Sequence, residues 1–172
     1  GVPFDPFPHA LITKVRQNKN TKIICDVELF YLMYPEQKFI AITGSNGKST
    51  TTKLVEHILL HNNLKAIAAG NIGTAIVSVE PNKYEYVVVE CSSYQLDLID
   101  TFRPQVSAIL NITPNHLDRH GDLKNYINAK SRIFKNQESG DHIVINIDNN
   151  VTANIYKTLQ SKAQKVAFSC KH

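Results

Sequence analysis

The 172-residue sequence predicts an α/β fold of three layers, with a mostly parallel sheet covered by helices on both faces. Two observations lead to this prediction. Short apolar runs alternate with amphipathic stretches along the chain, and 42% of the residues are apolar while 20% are charged. This composition suits one globular domain with a sizeable core. The repeated strand–helix order predicts parallel strands whose crossover helices cover the sheet.

The short apolar runs are predicted to be the strands of this sheet. They comprise residues 39–43, 65–69, 86–90, 106–112, 142–146 and 165–168. In open parallel sheets ligands bind beyond the carboxyl ends of the strands. The residues that follow each run are therefore the first to inspect for function.

Helices are predicted where apolar residues recur at helical spacing. After the first strand, five residues follow the pattern i, i+3, i+4, i+7 and i+8: Thr51, Leu54, Val55, Ile58 and Leu59. A short helix is predicted after Gly73, a longer one over about residues 123–134, and another between the last two strands.

Residues 1–35 contain several prolines and have little periodicity. They are predicted to be a linker or the tail of a preceding N-terminal domain. Residues 36–172, which hold all the predicted strands, are predicted to be the folded domain.

Composition and charge argue against several functional classes. The net charge of +4 comes from scattered Lys and Arg residues, which favours a solvated basic surface over a nucleic-acid groove. A basic balance also suits a polyphosphate site. The apolar runs are too short to cross a membrane, and the first residues lack a signal-peptide pattern. Cys25, Cys91 and Cys170 are far apart in the sequence, so we expect free thiols in a reducing cytoplasm rather than a zinc site or disulfides.

The strongest motif is Thr43-Gly-Ser-Asn-Gly-Lys-Ser-Thr50, between a predicted strand and a predicted helix. Its glycines let backbone N–H groups close around phosphate oxygens, and a helix N-terminus favours the anion. Lys48 would reach the terminal phosphates, and the hydroxyl of Ser49 would coordinate Mg²⁺. Ile42 stands where the full motif has its first glycine. The strand–loop–helix context nevertheless predicts a nucleotide site of the P-loop type.

Two further strand ends carry candidate metal ligands. Glu90 closes an apolar strand and is placed like the metal-binding acid of P-loop enzymes; a solvated strand end is the alternative. His116 follows the fourth strand and could ligate a metal or contact a phosphoryl group, although a loop histidine is more often a surface residue. The pattern His116-Leu-Asp-Arg-His120 alone does not indicate a zinc site.

Lys130 lies inside the apolar stripe of its predicted helix. Leu123, Ile127, Ile133 and Phe134 are placed at −7, −3, +3 and +4 from it. A buried ammonium is costly unless it is paired or chemically changed. A side chain that snorkels at the edge of the stripe is an equal alternative.

Together these residues resemble the Mur ligase family. The loop at 43–50 is similar to the shortened phosphate loop of that family, and Glu90, His116 and Lys130 follow in the family's order. The resemblance implies that residues 36–172 are an ATP-binding central domain.

Within the family, one member is matched in particular. The stretch Glu90-Cys-Ser-Ser-Tyr-Gln-Leu96 resembles the signature Glu-x-Ser-Ser-(Phe/Tyr)-Gln-Leu of the ligase that adds D-glutamate. The stretches Asp26–Phe30 and Gly70–Gly73 agree with the same member. The motifs extend over nearly the whole chain.

The resemblance implies a role for each of these residues. The ATP phosphates are held by Ser45, Asn46, Gly47, Lys48, Ser49, Thr50 and Thr51. Ser49 and Glu90 share one Mg²⁺, while His116 and a carbamylated Lys130 hold a second metal ion. Lys48, His116 and Lys130 are the implied catalytic residues. The implied contacts to the nucleotide-sugar substrate are Asn71, Ser92 and Gln95.

The implied activity is the ATP-dependent addition of D-glutamate to UDP-N-acetylmuramoyl-L-alanine through an acyl phosphate, a step of peptidoglycan precursor synthesis. Domains that flank this one in the same chain would supply the remaining contacts, so residues 1–172 alone are not expected to ligate. Two alternatives remain open at this point. One is another ligase of the same superfamily, such as a folylpolyglutamate synthase, and the other is a P-loop nucleotide switch without ligase chemistry.

Overall fold

A computed structural model describes residues 14–15, 17–18 and 20–171, and within them six strands form one sheet. Along the chain the strands are β1 (Lys38–Thr43), β2 (Ala66–Gly70), β3 (Tyr86–Glu90), β4 (Val106–Ile109), β5 (His142–Asn146) and β6 (Gln164–Phe168). Their order across the sheet is β2-β3-β1-β4-β5-β6, and every neighbouring pair is parallel. All the predicted strands are present, although the fourth ends at Ile109 rather than at residue 112.

One helix precedes the first strand, and others occupy the connections between the strands. They are α1 (Asp26–Met33), α2 (Lys48–His61), α3 (Ser93–Asp97), α4 (Leu117–His120), α5 (Leu123–Ser131) and α6 (Asn150–Thr158), with 3-10 turns at Ile76–Ser78 and Arg132–Phe134. The helix predicted over residues 123–134 is α5 with its 3-10 continuation. The α/β class predicted from the sequence is thereby confirmed. No helix in the described part of the chain is both long enough and apolar enough to cross a membrane.

Helix α2 forms where it was predicted, but the prediction of its buried face is partly wrong. Leu54 and Ile58 of the predicted stripe are 53% and 49% exposed, whereas Thr52 is fully buried. Helix α2 packs on β1, β2 and β3, and the Glu56 carboxylate accepts a hydrogen bond of 2.7 Å from the backbone N–H of Ala68 in the edge strand β2. Periodicity shows that a helix has an apolar stripe, but the packing of the helix on the sheet decides which face is covered.

Helix α1 lies in the stretch that the sequence analysis assigned to a linker, yet it contributes to the core. Val27 and Phe30 are 0% and 1% exposed. The Phe30 ring is 6.1 Å from that of Phe39 in β1, and Phe39 is 5.4 Å from Phe102, both in edge-to-face geometry. Such aromatic pairs add to the stabilisation from burial itself. The division of the chain at residue 36 stays a prediction, but part of the preceding segment packs with the domain.

The carboxylate of Glu28 fastens α1 to the loop before β4. Glu28 is 1% exposed, and its oxygens accept hydrogen bonds from the backbone N–H groups of Asp100, Thr101 and Phe102 at 2.7–3.0 Å. The hydroxyl of Thr101 donates a further bond of 2.6 Å. Burial raises the pKa of Glu28, but the hydrogen bonds from Thr101, Asp100 and Phe102 outweigh it, so that the pKa lies below its usual value. Four donors thus hold one buried anion.

We expect Glu28→Gln to lower the free energy of unfolding of the chain by about 2–3 kcal/mol, because the amide group turns an N–H towards donors and leaves at least one of them unpaired. Urea unfolding followed by circular dichroism measures this change. The matched control is Glu36→Gln at an exposed position, which should change the free energy by less than about 0.5 kcal/mol. Equal effects of the two substitutions would contradict the assigned role of Glu28.

The pH dependence of this difference provides a further control. Because the folded-state pKa of Glu28 is lowered, its carboxylate stabilises the fold above the unfolded pKa of about 4.3. That stabilisation is lost as the pH falls through the folded pKa. The difference in free energy of unfolding between the wild type and Glu28→Gln should therefore be constant above about pH 5.5 and become smaller below about pH 4.

Candidate functional site

The carboxyl ends of β3, β1 and β4 meet at the centre of the sheet and carry the candidate site. Strand β1 lies between β3 and β4. The chain leaves β1 for β2 on one side of it and later reaches β4 on the other side, so the strand order reverses at this point. A reversal of this kind opens a crevice in which α/β proteins bind ligands.

The loop of residues 44–47, which follows β1, is fixed by Asn111 beyond the end of β4. The backbone N–H of Ser45 donates to the Asn111 carbonyl at 2.9 Å. The Asn111 side chain accepts from the N–H of Asn46 at 2.9 Å and donates to its carbonyl at 3.0 Å. Gly47, with a φ of +80°, then begins the 14-residue helix α2. A loop that is held in one conformation at a helix N-terminus is suited to bind an anion.

Lys48 folds back over this loop. Its Nζ donates hydrogen bonds to the backbone carbonyls of Gly44 at 3.0 Å and Ser45 at 2.9 Å. The other predicted phosphate contacts, Thr50 and Thr51, lie in the first turn of α2. The ammonium of Lys48 is therefore placed where a bound phosphate would compete with the two carbonyls for its hydrogens.

Glu90 is buried at the end of β3, with 2% of its surface exposed, so the alternative of a solvated strand end is excluded. The hydroxyl of Ser49 donates to Glu90 Oε2 at 2.7 Å, and the side-chain amide of Asn71 donates to Oε1 at 3.0 Å. The structure thus brings together the two residues predicted to share Mg²⁺. Their carboxylate and hydroxyl oxygens are of the type that Mg²⁺ accepts beside substrate phosphates and water.

The loop after β2 approaches β3 so closely that only glycine fits at its first position. Gly70 has a φ of +102°, and a Cβ there would lie 2.6 Å from the carbonyl oxygen of Glu90 and 3.0 Å from Cγ1 of Val89. The next residue, Asn71, donates its backbone N–H to the same carbonyl at 3.0 Å. This close approach places the side chain of Asn71 on the carboxylate of Glu90.

Lys130 is buried beneath the phosphate loop. It is 2% exposed, which decides between the two alternatives that the sequence left open. Its Nζ donates to the carbonyl of Gly44 at 2.8 Å and to the Thr43 hydroxyl at 3.3 Å. Burial, together with the nearby charge of Lys48, lowers the pKa of Lys130 to about 7. The neutral amine is therefore well populated at neutral pH.

His116 is exposed at the start of α4 and has a φ of +52°. Its Nδ1 lies 3.2 Å from the hydroxyl of Tyr94. In the described part of the chain, no three His, Cys, Asp or Glu side chains are grouped so that they could hold a metal ion. A second ion held by His116 and Lys130 therefore depends on a modified Lys130 and stays a prediction.

Two of the predicted substrate contacts belong to the cap of a helix. Ser92 caps α3, because its hydroxyl accepts from the backbone N–H of Gln95 at 3.2 Å. In return, the side-chain oxygen of Gln95 accepts from the backbone N–H of Ser92 at 3.0 Å. The Gln95 amide also donates to the Asp26 carboxylate of α1 at 2.9 Å. These bonds give both side chains a structural role, whatever else they contact.

Six of the predicted site residues face one cavity of about 240 Å³. It is lined by Ser45, Lys48, Asn71, Ser92, Ser93, Tyr94, Asn115, His116, Tyr126 and Lys130. A larger opening of about 940 Å³ lies beside Arg103 and Leu159, which precede β4 and β6. None of the predicted site residues faces that opening, so its size does not make it the functional site.

Sequence reasoning placed Asn111 at a strand end to be inspected but did not predict that it holds the loop, and it missed Tyr126. The Tyr126 hydroxyl lies 3.2 Å from the hydroxyl of Ser45. Tyr126 precedes Lys130 by four residues, and this spacing places two side chains on the same face of a helix. That spacing is the signal that could have identified Tyr126. The role of Asn111 depends on strand pairing and has no comparable local signal.

Comparison with known proteins finds relatives that are similar to this chain in sequence and in fold. A family model described as the Mur ligase middle domain matches residues 42–172. The UDP-N-acetylmuramoylalanine–D-glutamate ligase of Rickettsia bellii is 43% identical, over 93% of this chain and 35% of that protein. The ligase of the same name from Koribacter versatilis is 43% identical, over 100% of this chain and 37% of that protein. The chain thus spans about a third of the length of these relatives.

The fold is similar to that of a solved Mur ligase structure. A crystal structure of MurF from Acinetobacter baumannii superposes with a TM-score of 0.65 over 83% of this chain and 33% of that one. The sequences of this pair are 22% identical, so the comparison bears on the fold alone.

We expect Gly70→Ala to lower the free energy of unfolding by at least about 3 kcal/mol, because both backbone strain and steric overlap with Glu90 and Val89 oppose it. Gly140→Ala is the matched control, since Gly140 has a φ of +98° but no atom within 4 Å of an added Cβ. Gly140→Ala should lower the free energy of unfolding only by the backbone strain, which is about 1–2 kcal/mol. Equal losses in urea unfolding would show that the close approach to β3 is unimportant.

Proposed function

The chain belongs to the Mur ligase family, and we propose that it is the ATP- and Mg²⁺-binding central domain of a ligase that joins D-glutamate to UDP-N-acetylmuramoyl-L-alanine. The observation that carries the nucleotide part of this proposal is the contact of Ser49 with the buried Glu90 directly beside the phosphate loop. The choice of acceptor and amino acid is supported by the two D-glutamate ligases described above. The product is a precursor of peptidoglycan.

In this proposal, residues 45–51 hold the phosphates of ATP. The N-terminus of α2 faces the phosphates, and Lys48 exchanges its backbone carbonyl partners for phosphate oxygens. A cationic side chain beside the transferring group stabilises the charge that moves in phosphoryl transfer. The loop is already held by Asn111 and Tyr126, so little ordering is needed when the nucleotide binds.

Ser49 and Glu90 hold the first Mg²⁺ of the proposed site. The hydrogen bond from Ser49 to Glu90 would be broken by the cation, and the hydroxyl, still protonated, would join the carboxylate as a ligand. Asn71 keeps the carboxylate in place through the other oxygen. When bound, the ion neutralises charge on the β- and γ-phosphates.

His116 and Lys130 are proposed to hold a second ion. The pKa of about 7 leaves much of Lys130 as the neutral amine, which is the form that reacts with carbon dioxide to give a carbamate. That conversion would replace a buried cation by an anionic oxygen ligand and so remove the cost of burying the ammonium. His116 faces the same cavity and offers an imidazole nitrogen.

The proposed reaction has two steps. The terminal carboxylate of UDP-N-acetylmuramoyl-L-alanine attacks the γ-phosphorus of ATP, which forms an acyl phosphate and releases ADP. The amine of D-glutamate then attacks the acyl carbon, phosphate leaves, and an amide remains. The residues of this domain contribute by positioning the reactants and stabilising charge. Asn71, Ser92 and Gln95 are the proposed contacts to the nucleotide sugar.

The proposed domain organisation follows from the same assignment. Residues 36–172 are the central domain, preceded by a linker or the tail of an N-terminal domain. Flanking domains of the same chain bind the uridine end of the acceptor and D-glutamate. We propose a cytoplasmic location, in agreement with the cysteines Cys25, Cys91 and Cys170, none of which forms a disulfide.

We expect phosphate release from ATP by the complete ligase to require both UDP-N-acetylmuramoyl-L-alanine and D-glutamate. The measurement is a coupled phosphate assay in which D-glutamate is compared with L-glutamate, L-alanine and L-lysine. A folate acceptor is assayed in parallel to test for a folylpolyglutamate synthase. Residues 1–172 alone should fold but release no acceptor-dependent phosphate. Phosphate release that depends on another amino acid would support the ATP site but overturn D-glutamate as the substrate. ATP binding without any acceptor-dependent release would favour a nucleotide switch.

We expect Glu90→Gln in the complete ligase to lower kcat/KM for ATP by about 100-fold and to raise the Mg²⁺ concentration needed for half-maximal activity, because a charged ligand is lost. Glu85→Gln is the matched control at an exposed position just before the same strand, and it should leave both values within about twofold. A Mg²⁺ requirement that is unchanged in Glu90→Gln would remove Glu90 from the proposed metal site.

A further inference from the structure

Three aromatic rings pack in a row beside the candidate site, and His120 provides the middle one. The ring of His120 lies 5.9 Å from that of Tyr94 at an angle of 20° and 5.3 Å from that of Tyr126 at 54°. The three residues come from α3, α4 and α5. His120 and Tyr126 are 9% and 1% exposed. Closely packed buried rings restrict one another's orientation.

Each outer ring carries a hydroxyl that contacts a residue of the proposed site. The Tyr94 hydroxyl lies 3.2 Å from Nδ1 of His116, and the Tyr126 hydroxyl lies 3.2 Å from Oγ of Ser45. Ser45 in turn bonds the backbone of Thr113 with both a donated and an accepted hydrogen bond. The row of rings therefore reaches the phosphate loop at one end and His116, the imidazole predicted to contact a phosphoryl group, at the other.

The middle ring is anchored independently of its two neighbours. His120 Nε2 lies 3.0 Å from the hydroxyl of Ser93, and Nδ1 lies 3.7 Å from Oδ2 of Asp97. The side chain of Asn125 donates to the backbone carbonyl of His120 at 2.9 Å. Because the contact with Ser93 is directional, it fixes the plane of the imidazole as well as its position. An apolar ring in the same space would lack this constraint.

We propose that His120 is a positioning residue of this site. Its ring fixes the orientation of the Tyr94 and Tyr126 rings, and the hydroxyls of these tyrosines in turn position the side chains of His116 and Ser45. His120 is not among the residues that line the cavity of the site, so it acts through the side chains that it contacts, above all the two tyrosines. The kinetic part of the test rests on the proposed function. Phosphoryl transfer depends mainly on positioning, and a misplacement of about 1 Å can slow a reaction by about 100-fold.

The first test is a double-mutant cycle on the complete ligase with His120→Ala and Tyr94→Phe. We expect His120→Ala to lower kcat by about tenfold and to leave KM for ATP within about threefold, since the phosphate loop keeps its ties to Asn111. Tyr94→Phe should lower kcat by about fivefold. The double variant should be about tenfold slower than the wild type, not about fiftyfold, because both changes remove the same restraint on His116.

Two further variants separate positioning from loss of folded protein. His120→Phe keeps a ring between the two tyrosines but loses the bond to Ser93, so it should recover kcat only in part, to about threefold below the wild type. His57→Ala, at an exposed position of α2, should leave kcat within about twofold, and its effect should multiply with that of Tyr94→Phe. Thermal unfolding and active-site titration of every variant show whether a lower kcat reflects fewer folded molecules.

A crystal structure of the His120→Ala chain provides a readout that does not depend on ligase activity. We expect the Tyr94 and Tyr126 rings to shift and their contacts with His116 and Ser45 to be lost. Unchanged contacts, a kcat equal to that of the wild type, or fully multiplicative effects in the cycle would each overturn the inference. A wild type without ligase activity would instead overturn the proposed function, and the crystal structure would still decide the role of His120.

Discussion

The parallel register of β2, β3 and β1 is the constraint on which the candidate site depends. Ile42 and Gly70 both pair with Glu90 across the sheet, so its carboxylate leaves β3 between the phosphate loop and the loop after β2. A slip of one residue would turn Glu90 to the other face of the sheet and away from Ser49. Strand pairing therefore assembles the proposed cation site, and the loops complete it.

Three buried charges are held in three ways, and the difference indicates their functions. Glu28 is bound mainly by backbone N–H groups of a fixed loop, an arrangement suited to a structural anchor. Glu90 is bound by the side chains of Ser49 and Asn71, which can rotate and make room for a cation. Lys130 faces a carbonyl and a hydroxyl instead of a carboxylate. Its charge is thus the least compensated of the three, which favours the neutral amine.

The sequence predicted features that are local along the chain, and it failed where distant segments decide the outcome. The strands, the loop at 43–50 and the place of Lys130 in an apolar stripe all follow from spacing within about a dozen residues. The exposed face of α2 and the packing of α1 depend on which elements lie against them. Likewise, the bond between Asn111 and the phosphate loop joins segments 65 residues apart, and periodicity contains no information about such pairs.

The stretch 90–96, which is proposed to contact metal and substrate, also caps a helix, and this structural task limits the contacts that it could make. The side-chain oxygen Oε1 of Gln95 accepts from both the backbone N–H and the hydroxyl of Ser92. These two bonds use both lone pairs of Oε1. One amide hydrogen of Gln95 is donated to Asp26. A single amide hydrogen remains. Gln95 can therefore contact the nucleotide sugar only as a donor to an oxygen, unless the cap of α3 opens.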